Sequence, residues 1–360
     1  MVGAGSHRID GLDALRGLTA LAIAVFHTVI ILDLIPRADL PAFFQRLFIA
    51  VPLFFAVSAF SLCIVYFDRL NSPADVRKFF LRRSLRILPL FYLLLAFWIV
   101  VRGTTDAWTI GLNVSFLFPF VPGKNESLVG AGWSIGVEMV FYALFPFLIS
   151  WMRSIWSSVF WLLVSTAVAV FAGVASSAAQ LPGYFDWLSA PVQLPFFVAG
   201  ILVFHVFHRL ADWNQQHRRM LSIGLLMGVP IGLFVLSNLG VFVLQFQGWS
   251  VGRHLLGAAL LPLVLAFALC DLKLVVNRAT IFVGTVSYGL YLIHPLLIRS
   301  VGRPMKALLV DAGASPLAVA AIITFTIVVG ATALAAVTYY GLERPISRYR
   351  PRRSEATLAA

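Results

Sequence analysis

The chain has 360 residues, 60% of them hydrophobic and only 12% charged, with a mean hydropathy of +0.92. A soluble domain of this size does not carry so much apolar surface, so composition points to a polytopic helical membrane protein. The formal charge of +12 does not signal nucleic acid, because most Lys and Arg fall at the ends of apolar segments and in loops on one side.

Ten apolar spans are predicted: 11–34, 43–66, 86–102, 131–151, 156–175, 190–208, 220–238, 252–270, 280–299 and 315–341. The first is too long for a signal-peptide core and lacks a small-residue cleavage site, so it is expected to remain as the first helix. An even number of spans puts both termini on one side. With the N-terminus inside, 18 basic residues fall in inner loops and 8 in outer ones, which places both termini in the cytoplasm. The segment 103–130 contains WTIGLNVSFLFPFVPG, too short to span and interrupted by Asn113 and two prolines. It is expected to be a re-entrant or interfacial piece on the outer side. Residues 1–349 form one integral-membrane domain and 350–360 a short disordered cytoplasmic tail. Cys63 and Cys270 lie inside apolar segments and imply no disulfide framework. No internal repeat is evident, which argues against transporter folds built from duplicated halves.

Ionisable groups within spans are costly and mark candidate sites. In the first span Arg16 and His27 are eleven positions apart, within about 20° of the same face and about 16 Å apart along the axis. This sets a cation near one surface and an imidazole near mid-bilayer. Arg16 either snorkels to the interface or serves the site, and His27 either bonds a neighbouring helix or moves a proton. In LRRSLRILP, Arg82 and Arg86 are i, i+4 neighbours and Arg83 lies three before Arg86, so at least two guanidiniums share a face. They serve inner-side topology and anionic lipid, or they bind phosphate.

The fourth span carries Ser134, Glu138 and Tyr142 on one stripe. Its buried carboxylate either pairs with an arginine or forms a polar wall. The ninth places Ser287, Tyr291 and His294 on one face, with Pro295 inside the span. Glu343 and Arg344 precede Pro345 at the end of the tenth. His205 and His208 lack a Cys or carboxylate at ligand spacing, so no metal site is expected.

Together these motifs resemble the acyltransferase type 3 family of bacterial membrane acyltransferases. The likeness rests on DGLDALRG with the Arg16–His27 spacing and on Arg83-x-x-Arg86. It also rests on the run from Trp133 through Ser134 and Glu138 to Tyr142, on SYGLYLIHP, and on the closing Glu-Arg-Pro. It implies an all-α fold of ten helices in the bacterial inner membrane. It further implies O-acyl transfer, usually of acetyl from acetyl-coenzyme A, to a hydroxyl of a glycan or glycolipid. His27 becomes the essential histidine, and Arg16 with Arg83 and Arg86 the essential arginines. On this reading Arg82, Arg83, Arg86 and Arg16 hold the coenzyme phosphates, and His27 acts as general base with Glu138 or Tyr142 orienting the hydroxyl. Asp13, Trp133, Ser134, Ser287, Tyr291, His294 and Glu343 are expected around the substrate, with no metal. Some members add a C-terminal periplasmic esterase-like domain, whereas this sequence ends at Ala360. The membrane domain is therefore expected to act alone or with a separate periplasmic partner. The rival reading is a transporter or flippase of a lipid-linked glycan that uses the same intramembrane charges as a pathway.

Overall fold

Inside a bilayer the backbone has no water to bond, so each spanning segment must satisfy its own N–H and C=O groups. A computed structural model describes residues 9–42, 44–103, 106–245, 247–270 and 272–348, and the regular elements among them are helices. The expected tail 350–360 lies outside the described residues. Among the described residues ten helices are long and apolar enough to cross a membrane. They include α1 (Asp10–Ile31), α2 (Val51–Tyr66) and α3 (Pro73–Arg102). A short helix that does not span, α4 (Ala107–Ser115), comes next. The remaining spans are α5 (Trp133–Trp151), α6 (Ile155–Ala178), α7 (Ala190–Arg209), α8 (Gln215–Asn238), α9 (Val251–Leu269), α10 (Arg278–Leu297) and α11 (Pro316–Thr338).

Polar caps fix where several of these helices begin. The Ser72 hydroxyl accepts from the Asp75 N–H, and Pro73 follows at the first helical position. Helix α3 therefore starts thirteen residues before the predicted 86 and carries the arginine cluster within its N-terminal half. Ser154, Asn214, Asn277 and Ser315 cap α6, α8, α10 and α11 in the same way. The ninth span is longer than expected too. Pro295 lies within α10, a π-helical turn follows over Ile298–Gly302, and the helix runs on to Asp311.

Helix α1 is central. Without a hydrophobic force between helices in lipid, small residues that let backbones approach hold the bundle together. A Cβ on Gly17 would collide with the backbone of α10 at Thr280 and Gly284, and one on Gly284 would run into the carbonyl of Asp13. Gly11 meets α9 at Phe267, and Gly200 of α7 meets Ala56 of α2 in the same manner. Stacked phenylalanines fill the next layer, with Phe197 of α7 lying between Phe55 and Phe141 at ring distances of 4.5 and 4.0 Å. By contrast α6 and α8 are exposed over most of their length and face the bilayer.

Of the segment 103–130, the described residues from 106 on form a short helix and turns and no helix long enough to span. After α4, Phe118 inserts against Gly136 of α5, and the Tyr92 hydroxyl of α3 donates to the Val114 carbonyl at 2.8 Å. Buried Asn113 closes the fold-back: its amide donates to the Thr109 carbonyl, while its oxygen accepts from the Ser127 hydroxyl and the Leu128 N–H. The polar residue that disqualifies this stretch as a span is the one that ties it down.

Candidate functional site

Five helices converge on a chamber of about 70 Å³ lined by Arg16 of α1, Ser58 of α2, Arg83 and Arg86 of α3, and Ser134, Glu138 and Tyr142 of α5, with Ser287, Tyr288 and Tyr291 of α10. That volume is room for a couple of water molecules. Phe54, Phe55, Ile87 and Ile135 complete its walls.

Sequence spacing explains why these groups meet. On α5 the four-residue steps from Ser134 to Glu138 to Tyr142 set all three on the face turned to α2 and α10. The Ser58 hydroxyl donates to the Glu138 carboxylate at 2.6 Å and lies 3.1 Å from the Tyr142 hydroxyl, which also donates to that carboxylate. This half-buried carboxylate thus has two hydroxyl donors, as a polar group largely shielded from water requires. Arg83 points inward, with its guanidinium 5.6 Å from the centre of the Tyr66 ring and 5.9 Å from that of Tyr142. Arg16 forms a 3.8 Å ion pair with Asp13 and donates to the Ser61 hydroxyl at 3.3 Å. Arg86 lines the same opening and faces buried Glu343 from across it, with the Thr338 hydroxyl 3.5 Å from the Glu343 carboxylate. Two or three guanidiniums around one opening make an anion site, and their planar forks suit phosphate.

At the far wall the Ser134 hydroxyl donates to the Tyr291 hydroxyl at 3.0 Å. Behind Tyr291, its ring centre 5.8 Å away, lies His294, and His294 contacts His27 through Nε2 and Nδ1 at 2.8 Å. His27 does not line the chamber. It is reached from the arginine end through Tyr291 and His294. His27 is four residues before the end of α1 at Ile31, and His294 lies midway along the continuous helical run Arg278–Asp311. The imidazole pair therefore lies on the far side of Tyr291 from the arginines.

The expected site residues thus divide into three groups. Arg16, Arg83, Arg86, Ser134, Glu138, Tyr142, Ser287 and Tyr291 share the chamber. His27 and His294 form a second centre behind it, and Asp13 pairs with Arg16. Arg82 lies on the exposed side of α3, Trp133 packs edge-on against Phe55 at 6.0 Å, and Glu343 sits beyond the rim. Sequence reading missed Ser58, the hinge of the Glu138 cluster, because one serine in an apolar helix carries no spacing signal. It also missed Tyr288, whose hydroxyl donates to the Ile87 carbonyl at 2.7 Å and ties α10 to the arginine-bearing helix.

Comparison with known proteins gives a consistent picture. The acyltransferase domain family matches residues 9–337. The chain is 28% identical over 333 residues to the exopolysaccharide production protein ExoZ of Rhizobium meliloti (strain 1021), covering 86% of this chain and 92% of that protein. It is 24% identical over 300 residues to the putative acetyltransferase ORF330 of Acidianus two-tailed virus, covering 80% and 83% of the two. No solved structure matches.

Proposed function

The chain belongs to this acyltransferase family, and on that premise we propose that it moves an acetyl group from acetyl-coenzyme A to a hydroxyl of a glycan or glycolipid. The setting is a bacterial inner membrane with both termini in the cytoplasm. The similarity to the exopolysaccharide production protein ExoZ and to the putative acetyltransferase ORF330 favours this pairing of acceptor and acyl group.

The observation that carries the reading is a polarity gradient along one path: guanidiniums of Arg16, Arg83 and Arg86 at one end, imidazoles of His27 and His294 at the other, joined through Ser134 and Tyr291. Coenzyme A brings its phosphates to the cytoplasmic arginines, with Arg82 contributing from the exposed side. Its pantetheine arm enters the chamber beside Glu138 and Tyr142. Reaching His27 requires the Ser134–Tyr291 bond to open, because that pair and the His294 ring stand between. His27 then takes the proton of the acceptor hydroxyl as that oxygen attacks the thioester, and Glu138 and Tyr142 hold the polar environment of the arm. General-base assistance of this kind contributes about 10²–10⁴-fold.

The test is mass spectrometry of surface polysaccharides and lipids from cells with and without the gene. Loss of an acetyl mass from one glycan on deletion, restored by the gene but not by its His27→Ala form, is the expected result. Unchanged glycan masses, together with movement of a lipid-linked glycan across the membrane without any acyl donor, would replace this reading with transport.

A further inference from the structure

The two imidazoles meet in a geometry that fixes their protons. Their planes differ by only 10°, their centres are 5.1 Å apart, and His27 Nδ1 lies 2.8 Å from His294 Nε2. The rings therefore meet edge to edge, with one nitrogen's N–H aimed in plane at the other's lone pair, rather than stacking face on face. Which ring donates is decided by the other side of His294. Its Nδ1 lies 3.2 Å from the Leu290 carbonyl and also faces the Tyr291 carbonyl. The latter oxygen is left without its usual helical donor, because residue 295 is proline and has no N–H. Carbonyl oxygens only accept, so His294 carries its proton on Nδ1. A neutral ring with Nδ1–H has a bare Nε2. The shared hydrogen then belongs to His27 Nδ1, and the lone pair of His27 is left on Nε2. Among the described residues no protein group bonds that atom.

From this we propose that His294 is a positioning residue that locks His27 in the Nδ1–H tautomer and aims its Nε2 at the acceptor hydroxyl. The role rests on the acyl-transfer reading above. In the step itself the acceptor O–H bond breaks and its proton goes to His27 Nε2. The oxygen forms a bond to the acyl carbon, the carbon–sulfur bond breaks, and the departing thiolate takes the proton back from Nε2. Nδ1–H stays on His27 throughout. While His27 is cationic, that N–H donates a charge-assisted bond to neutral His294. The buried motif His294-Pro295 thereby gains a role: the proline frees a carbonyl that orients the histidine before it.

Two measurements test this on the full-length protein in detergent or nanodiscs. The first needs no variant: nitrogen NMR of ¹⁵N-histidine-labelled protein, with His27 assigned by the signal missing from His27→Ala. The expected spectrum shows His27 protonated at Nδ1 and bare at Nε2. A His27 protonated at Nε2 would overturn the proposal. The second compares kcat and KM for acetyl-coenzyme A in His294→Leu and His294→Gln. Leucine removes the acceptor, and kcat should fall on the order of 10²-fold with KM unchanged. Glutamine restores an acceptor oxygen near the Nε2 position, and kcat should recover to within about tenfold of wild type. A leucine variant as active as wild type, or a glutamine variant no better than leucine, would overturn the role. His27→Ala in the same assay separates the two layers. If it is inactive while His294→Leu is fully active, the acyl-transfer reading stands and the positioning role falls. If it stays active, His27 is not the base and both fall.

Discussion

The two ends of the polar path solve opposite problems. At the arginine end charge is kept within reach of water: Arg86 is exposed at the opening, Arg16 has Asp13 and Ser61, and Arg83 lies between two tyrosine rings. At the histidine end His294 is wholly buried, and the two rings bond each other and a backbone carbonyl. A permanent cation belongs where a ligand can pair with it, because an uncompensated buried charge is expensive. A titratable ring belongs where a proton must be handled away from bulk water. On the proposed function one end binds and the other reacts, and substitutions should separate along that line.

The largest effect is expected at the reacting end. His27→Ala should lower kcat by about 10²–10⁴-fold while the affinity for coenzyme A, read by calorimetry, stays near wild type. A fall in affinity matching the fall in turnover would merge the two ends into one site. Next comes the binding end. Arg86→Glu should weaken coenzyme A binding by about 10- to 100-fold, since a charge-assisted hydrogen bond contributes about 1.5–3 kcal/mol. The loss should shrink as salt is raised. Equal affinity at low salt would reassign this arginine to topology.

A third effect is structural. Gly284→Val should destabilise the α1–α10 contact by about 1–3 kcal/mol or more, the usual range for overpacking, because any Cβ there meets the Asp13 carbonyl. It should lower the melting temperature and both activities together, unlike the two substitutions before it. Smallest is the control on the lipid face. Phe234→Ala on α8, 62% exposed, should shift stability by no more than about 0.5 kcal/mol and leave transfer unchanged. A clear loss there would place a partner or substrate on that face.

The number of spans was legible because hydropathy over about 20 residues is a strong local signal, and Asn113 with Pro119 and Pro122 after it interrupts the apolar run that follows α3. The start of α3 was not read, since an apolar window sees only the lipid half of a helix. The cap that sets it was nevertheless present as Ser72-Pro73 with Asp75. The continuation beyond α10 is not legible either: the apolar window closes at 299, but a π turn over Ile298–Gly302 carries the helix on to Asp311. Within the site, period-four spacing found the stripe from Ser134 to Tyr142 and the face from Ser287 to His294. Spacing alone could not show that His27 pairs with His294, which lies 267 residues away. Nor could it show that the pair is screened from the chamber by Tyr291, because that depends on how α1 and α10 are docked through Gly17 and Gly284.

The claim that the arginine end faces the cytoplasm and receives the donor can be tested by sidedness. Radiolabelled acetyl-coenzyme A, which does not cross membranes, would be added to inverted inner-membrane vesicles and to right-side-out spheroplasts carrying the native acceptor. Label should enter glycan or glycolipid in the inverted vesicles and not in the spheroplasts, and Arg86→Glu should raise the donor concentration required. Incorporation from the outer side alone would contradict the account.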